Sequence, residues 1–277
     1  METLIESQSK IASPCFSNDG KLYFCSPETG DISVVEDDDV SVVGNTKGAP
    51  NCVCFNADDR MYVCDFARQA ILTLDQNTGE LTEEISEYEN RQLRGPNQLV
   101  FDKNGVMFFT DSGHIGETSI QNPKGSVFCL NGDQIQPLAY ECLAYPSGIA
   151  LSPKEDIVYV AETMMNRVLR FVQKPAGVYH CSVFHQFSGG LGPMALACDS
   201  SGLLYVSNFD FTEAGQEGEA NVGQITVLKP NGKLHSTIRV NGTEINGLMF
   251  DWEKKNLYIS ENTFRTLSKA TINPAQK

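Results

Sequence analysis

Three asparagines, Asn51, Asn97 and Asn246, each open a short apolar run, and four carboxylates, Asp65, Asp111, Glu162 and Glu261, each close the run that follows. Amide and carboxylate oxygens are donors that a hard cation accepts, and a carboxylate beside such a cation can activate water. The site this pattern suggests is an acidic, amide-lined opening formed by Asn51, Asn97, Asp111, Ser147, Glu162 and Asn246, able to take a cation or a small polar ligand. The competing reading of each residue is local, because Asn and Asp at strand ends also satisfy nearby backbone groups. No covalent machinery accompanies the set. His114 follows Asp111 closely enough to suggest a general base, but a polar loop residue is the first reading. His180, His185 and His235 have no partner at metal-ligand spacing, and G-x-S-x-G is absent. Ser147-Gly148 follows a proline at a strand start and forms no strand-to-helix elbow. No catalytic residue and no metal ligand is assigned on these grounds.

What must position these residues is a repeat. Residues 146–171, PSGIALSPKEDIVYVAETMMNRVLRF, read as three strands: a short apolar run ending in the turn cluster S-P-K-E-D, a β-branched and aromatic run at 157–161, and a third at 168–171 after a polar break. The same order recurs from Ala12, Ala49, Gly95, Gly192 and Ile245, at intervals of roughly 36 to 52 residues, the range of propeller blades. A fourth candidate strand follows at 81–85, 134–138, 180–187 and 234–240. The expected fold is therefore all-β, a single six-bladed β-propeller of four-stranded antiparallel blades spanning residues 1–277. The last copy has no outer strand of its own, so residues 3–8 are expected to supply it and remove an open edge.

Composition narrows the function classes. A net charge of −14 disfavours nucleic acid, which needs a basic surface. No run of about 18 apolar residues suggests a membrane span, and METLIESQSK lacks the basic start and apolar stretch of a secretory signal. Nine cysteines, an odd number sitting mostly inside predicted strands, point to a reducing, cytosolic compartment, free or within a cytoskeletal assembly, and Cys15, Cys52, Cys54, Cys64, Cys129 and Cys198 read as small core hydrophobes. Cys52 and Cys54 are expected to face opposite sides of their strand, which would disfavour a shared metal. The acidic run 36–39 reads as a solvated hairpin tip, not a calcium loop. Two longer connections, 112–125 and 210–223, interrupt the repeat on the face where first strands begin, the end at which propellers commonly bind ligands or partners.

GPNQLVFDKNGVMFFTDSG at 95–113 and YPSGIALSPKEDIVYVAETMMNRVLRF at 145–171, with the other copies, resemble the SMP-30/gluconolactonase/LRE-like family of six-bladed propellers, with looser similarity to strictosidine-synthase-like and NHL-repeat propellers. The resemblance implies a divalent metal in the central channel, held by a glutamate, an asparagine and an aspartate at the starts of innermost strands. It also implies a pocket-lining asparagine and lactone hydrolysis through a metal-polarised carbonyl and activated water. Position by position, the glutamate falls on Ala12, the metal-binding asparagine on Ser147 and the aspartate on Met194; the pocket asparagine falls on Asn97. Alanine cannot ligate, and methionine is a soft donor that a hard cation rejects. The first expectation is thus a catalytically degenerate propeller, a pseudoenzyme scaffold without cofactor that binds a protein through its loop-bearing face. The alternative is a divergent metal-dependent lactonase or esterase that holds Ca2+ or Zn2+ through relocated carboxylates such as Asp111, Glu162 or Glu261. A strictosidine-synthase-like condensation would need a buried glutamate, for which Glu162 is the candidate.

Overall fold

The computed structural model describes residues 1–36, 39–189, 192–209, 222–251 and 255–272. Six four-stranded antiparallel sheets are formed. Their first strands are Ala12–Phe16, Pro50–Phe55, Pro96–Phe101, Pro146–Leu151, Gly192–Cys198 and Ile245–Asp251, which begin blades 1 to 6. Each first strand touches those of the two neighbouring blades, and that of blade 6 touches that of blade 1, so the six line a closed ring. The outer strand of blade 6 is Glu2–Glu6, which pairs antiparallel with Thr266–Thr271, a residue or two earlier than the expected 3–8.

The blades stack because their middle strands are apolar on both faces. In Ile157–Glu162, Val158 and Val160 join the cluster shared with blade 3, while Tyr159 and Ala161 join the one shared with blade 5. Alternation along a strand sends successive side chains to opposite faces, and here both faces are covered. Clusters of this kind occupy every blade junction, from Val53 and Val63 between blades 1 and 2 to Ile5 and Leu267 beside Phe24 at the closing junction.

The cysteine expectation holds in part. All nine are free, and of the six expected in the core Cys15, Cys52, Cys64, Cys129 and Cys198 are buried while Cys54 is half-buried. Cys52 and Cys54 share a face and both pack against the blade 2–3 cluster, Cys54 also reaching the cluster of blades 1 and 2, because residues two apart on a strand point the same way; the opposite placement expected above is corrected. Before blade 3 the chain forms a two-residue hairpin, Glu87–Tyr88 with Arg91–Gln92. Residues 37 and 38 of the acidic run, and 210–221 of the second long connection, lie outside the described residues. Among the described residues no helix is long and apolar enough to cross a membrane.

Candidate functional site

In every blade the pairing of first and second strands slips near the start of the first strand, as between Pro50 and Cys52, Pro96 and Leu99, or Pro146 and Ile149. A bulge of this kind bends the strand and re-aims a side chain. The residue five positions before the turn lies in the bulge at Asn51, Asn97, Ser147, Met194 and Asn246, and borders it at Ala12 of blade 1. Asn51, Asn97, Met194 and Asn246 are half-buried while the residues on either side of each are buried. This repeated register places six side chains in a ring at one mouth of the channel.

Glycine permits the ring to be tight. A Cβ on Gly148 would lie 2.4 Å from the Met194 carbonyl oxygen, and one on Gly247 would lie 2.7 Å from the Ser13 nitrogen. Adjacent first strands approach closely only where the side chain is absent.

The six ring positions are not equivalent. The Ser147 hydroxyl, fully buried, lies 2.7 Å from Thr163 Oγ1 and donates to the Met194 carbonyl at 2.8 Å, stitching blade 4 to blade 5. Asn246 does the same between blades 6 and 1: Nδ2 donates to the Ile11 carbonyl at 2.8 Å while Oδ1 accepts from Ser260 Oγ. The Asn97 amide interacts with the half-buried Tyr145 hydroxyl, which leaves it a second N–H, since an amide carries two. No hydrogen bond to the Asn51 side chain occurs among the described residues. The free polar capacity of the ring is thus concentrated in blades 2 and 3.

Over that same junction lies His114. Its ring packs 5.7 Å from the Phe66 ring, and the backbone ties both residues to the ring: the Phe66 N–H donates to the Ala49 carbonyl and the Ser112 N–H to the Gly95 carbonyl. The Gly116 N–H donates to His114 Nδ1 at 3.2 Å. Nδ1 is therefore the acceptor, and in the neutral ring the hydrogen sits on Nε2. In that tautomer the Nε2–H of the exposed His114 is a hydrogen-bond donor.

The carboxylates closing the second strands do something else. Asp65 accepts from the Ala49 and Arg68 N–H groups, and Asp111 from those of Arg94 and Gly95 at 2.7–3.0 Å. Glu162 accepts from the Ala144 N–H at 2.8 Å and from Arg167 Nε at 2.6 Å, and Glu261 from the N–H groups of Glu244, Thr263 and Phe264. Each buried carboxylate thereby clasps backbone at the top of its own blade. Asp111 borders a side cavity between blades 2 and 3 with Arg91, Arg94 and Glu141, away from the ring. Among the described residues no three His, Cys, Asp or Glu side chains are placed to hold a metal.

Burial pushes the Asp111 carboxyl up to about 6, against the backbone donors that favour its charged form. The folded protein therefore holds the proton more tightly than the unfolded chain. The stability this contributes is present in full below pH 4 and is lost as pH rises through 6. Melts of the parent and Asp111→Asn from pH 4 to 7 should show the variant gaining on the parent by about 3 kcal/mol across that window; a flat difference would reject the assignment.

The family model described as SMP-30/Gluconolactonase/LRE-like region matches residues 12–263. Lactonase drp35 of Staphylococcus haemolyticus (strain JCSC1435) is 30% identical over 207 residues, 70% of this chain and 62% of that one, so the chain spans less than two thirds of that relative's length. The corresponding lactonase of Staphylococcus saprophyticus subsp. saprophyticus is 29% identical over 208 residues, with the same shares covered. Among solved structures, a gluconolactonase from Xanthomonas campestris superposes with a TM-score of 0.80 at 22% identity, over 96% of this chain and 86% of that one. The calcium-binding protein regucalcin from Agrobacterium tumefaciens superposes with a TM-score of 0.80 at 16% identity, over 98% and 93%. At these identities the two structures speak to the fold.

The relatives named as lactonases overturn the expectation of a catalytically degenerate, protein-binding scaffold. The inference failed at a physical step. Replacing three ligands by Ala12, Ser147 and Met194 removes one means of polarising a carbonyl, but the amides of Asn51 and Asn97 remain at equivalent ring positions.

Proposed function

We propose a lactone-hydrolysing function on one premise: the chain belongs to the SMP-30/gluconolactonase/LRE-like family. The observation that supports a site for it is the asymmetry of the ring, in which Ser147 and Asn246 bind neighbouring blades while Asn51 and Asn97 keep amide donors for a ligand. A lactone is a cyclic ester whose carbonyl oxygen gains charge as water adds. Donors fixed where that charge develops lower the barrier. In this reading Asn51 and Asn97 hold the carbonyl oxygen and His114 Nε2–H reaches it, or the ring oxygen, from above. Water adds to the carbonyl carbon, the ring C–O bond breaks, and the proton released by water ends on the former ring oxygen as the hydroxyl of the product hydroxy acid.

A divalent metal of the kind the family implies does not fit the aligned positions. Ala12 has no donor atom, the Ser147 hydroxyl is engaged by Thr163 and Met194, and a thioether is a poor ligand for a hard ion. The relocated carboxylates are engaged by backbone N–H groups. No step is routed through a metal. Nine free cysteines fit a reducing compartment and support a cytoplasmic setting.

The test is direct. Purified protein is given five- and six-membered aliphatic lactones, with and without added calcium, zinc or manganese, and acid release is followed with a pH indicator. Turnover above the buffer rate is expected, falling about 10-fold or more in His114→Ala, since the loop that carries this donor is more exposed than a buried oxyanion site. No turnover under any of these conditions would overturn the reading.

A further inference from the structure

Below the ring the channel changes character. A cavity of about 300 Å3 begins one residue under the mouth, at Ser13, Cys52 and Gln98, and continues to the turn at Ser152 and Pro153 on the opposite face. Its wall is the edge of all six first strands and is predominantly apolar. The repeat register again decides what meets there: two residues before each turn stand Cys15, Cys54, Val100, Ala150, Ala197 and Met249 in blades 1 to 6. Three adjacent blades, 6, 1 and 2, therefore present sulfur at one level, and Met249, Cys15 and Cys54 all line the cavity. Cys15 and Cys54 stand at equivalent positions on first strands that touch across the blade boundary, and both line the cavity. Cys54 and Met249 are half-buried, so the pair is reachable from the cavity.

We propose that this end of the channel is a binding site for a soft, thiophilic monovalent cation of the Cu(I) class, held between Cys15 and Cys54 with the Met249 thioether as a third donor. Thiolates and thioethers select such ions, while the hard ions suited to carboxylates find no oxygen cluster here. Two thiols that converge from separate strands satisfy the low coordination number that Cu(I) accepts. On binding, each ligating thiol releases its proton to solvent and no electron is transferred. The site lies at the far end of the channel from the ring and is independent of the hydrolytic reading.

The experiment uses the full chain, reduced and kept under nitrogen, titrated with Cu(I) against a chromophoric Cu(I) chelator, with thiolate-to-copper absorption as the second signal. One Cu(I) per chain should be retained by the parent and by a Cys142→Ser/Cys181→Ser variant that lacks the exposed thiols. Binding should be lost in Cys54→Ser and in Cys54→Ala, the latter guarding against a buried hydroxyl that harms folding. Met249→Leu should weaken it about tenfold, the loss typical of a supporting group. Three results would overturn the proposal: no competitive Cu(I) uptake, uptake that survives both Cys54 variants, or uptake that disappears with Cys142 and Cys181. Conversion of the reduced pair to a Cys15–Cys54 disulfide without Cu(I) uptake would count equally against it.

Discussion

Asn97→Ala is expected to lower lactone turnover by about 10²–10³-fold, the loss measured when one donor is removed from an oxyanion site. The residue stands in a bulge that turns its side chain to the mouth, and its amide divides between Tyr145 and the ligand. Removing it also takes a polar partner from the half-buried Tyr145 hydroxyl, at a cost of about 1 kcal/mol. Asn97→Asp separates the effects: it preserves shape but replaces the donor by an acceptor, and its turnover should fall as far as that of the alanine variant. Steady-state kinetics beside thermal melts decide the matter. If Asn97→Asp keeps parental turnover, the amide does not hold the carbonyl; if turnover falls only in proportion to unfolded protein, the residue is structural.

The second large effect is on stability. Glu162→Ala should destabilise the fold by about 3–5 kcal/mol, because it strands a guanidinium that had a buried partner at 2.6 Å. For a chain of this size that is a fall of roughly 10 °C in melting temperature. The Ala144 N–H loses its acceptor at the same time. A Glu162→Ala/Arg167→Leu double variant should recover part of the loss, since the unpaired charge is then gone, and the difference from additivity measures the coupling. Equal stability of the single and double variants would mean that the backbone clasp, not the ion pair, carries the cost.

Much of the architecture was legible because turn residues punctuate each copy at fixed offsets, and those offsets also fix the ring register from Ala12 to Asn246. The outer strand of blade 1, Asp39–Asn45, was missed because it follows directly on an acidic run and its residues are exposed on most positions, Val40 and Val42 included. The hairpin at 87–92 was missed because Tyr88 is seated by Phe128 and Tyr140 of the next blade, a contact no local pattern encodes. The site was half legible. Sequence located Asn51, Asn97, Ser147 and Asn246 at equivalent positions, but which of them remain open depends on carbonyls supplied by other repeats, such as Met194 for Ser147 and Ile11 for Asn246. The carboxylates looked like ligands for the same reason. Their partners are backbone N–H groups, and these leave no trace in residue type. His114 was legible as a residue but not as a donor, since its tautomer depends on the Gly116 backbone.

The pairing of Glu2–Glu6 with Thr266–Thr271 has a temporal side. Glu6 meets Thr266 about 260 residues later in synthesis, so during translation at about 5–20 residues per second this strand waits tens of seconds with an unpaired edge. Until it docks, five blades stand as an open arc with bare edges at both ends. Such edges recruit strands from other chains, and contacts so distant in sequence form late. Newly made protein should therefore be most prone to self-association just before the sixth blade is complete. Loss of Thr266–Thr271 should return the whole arc to that state instead of costing one strand.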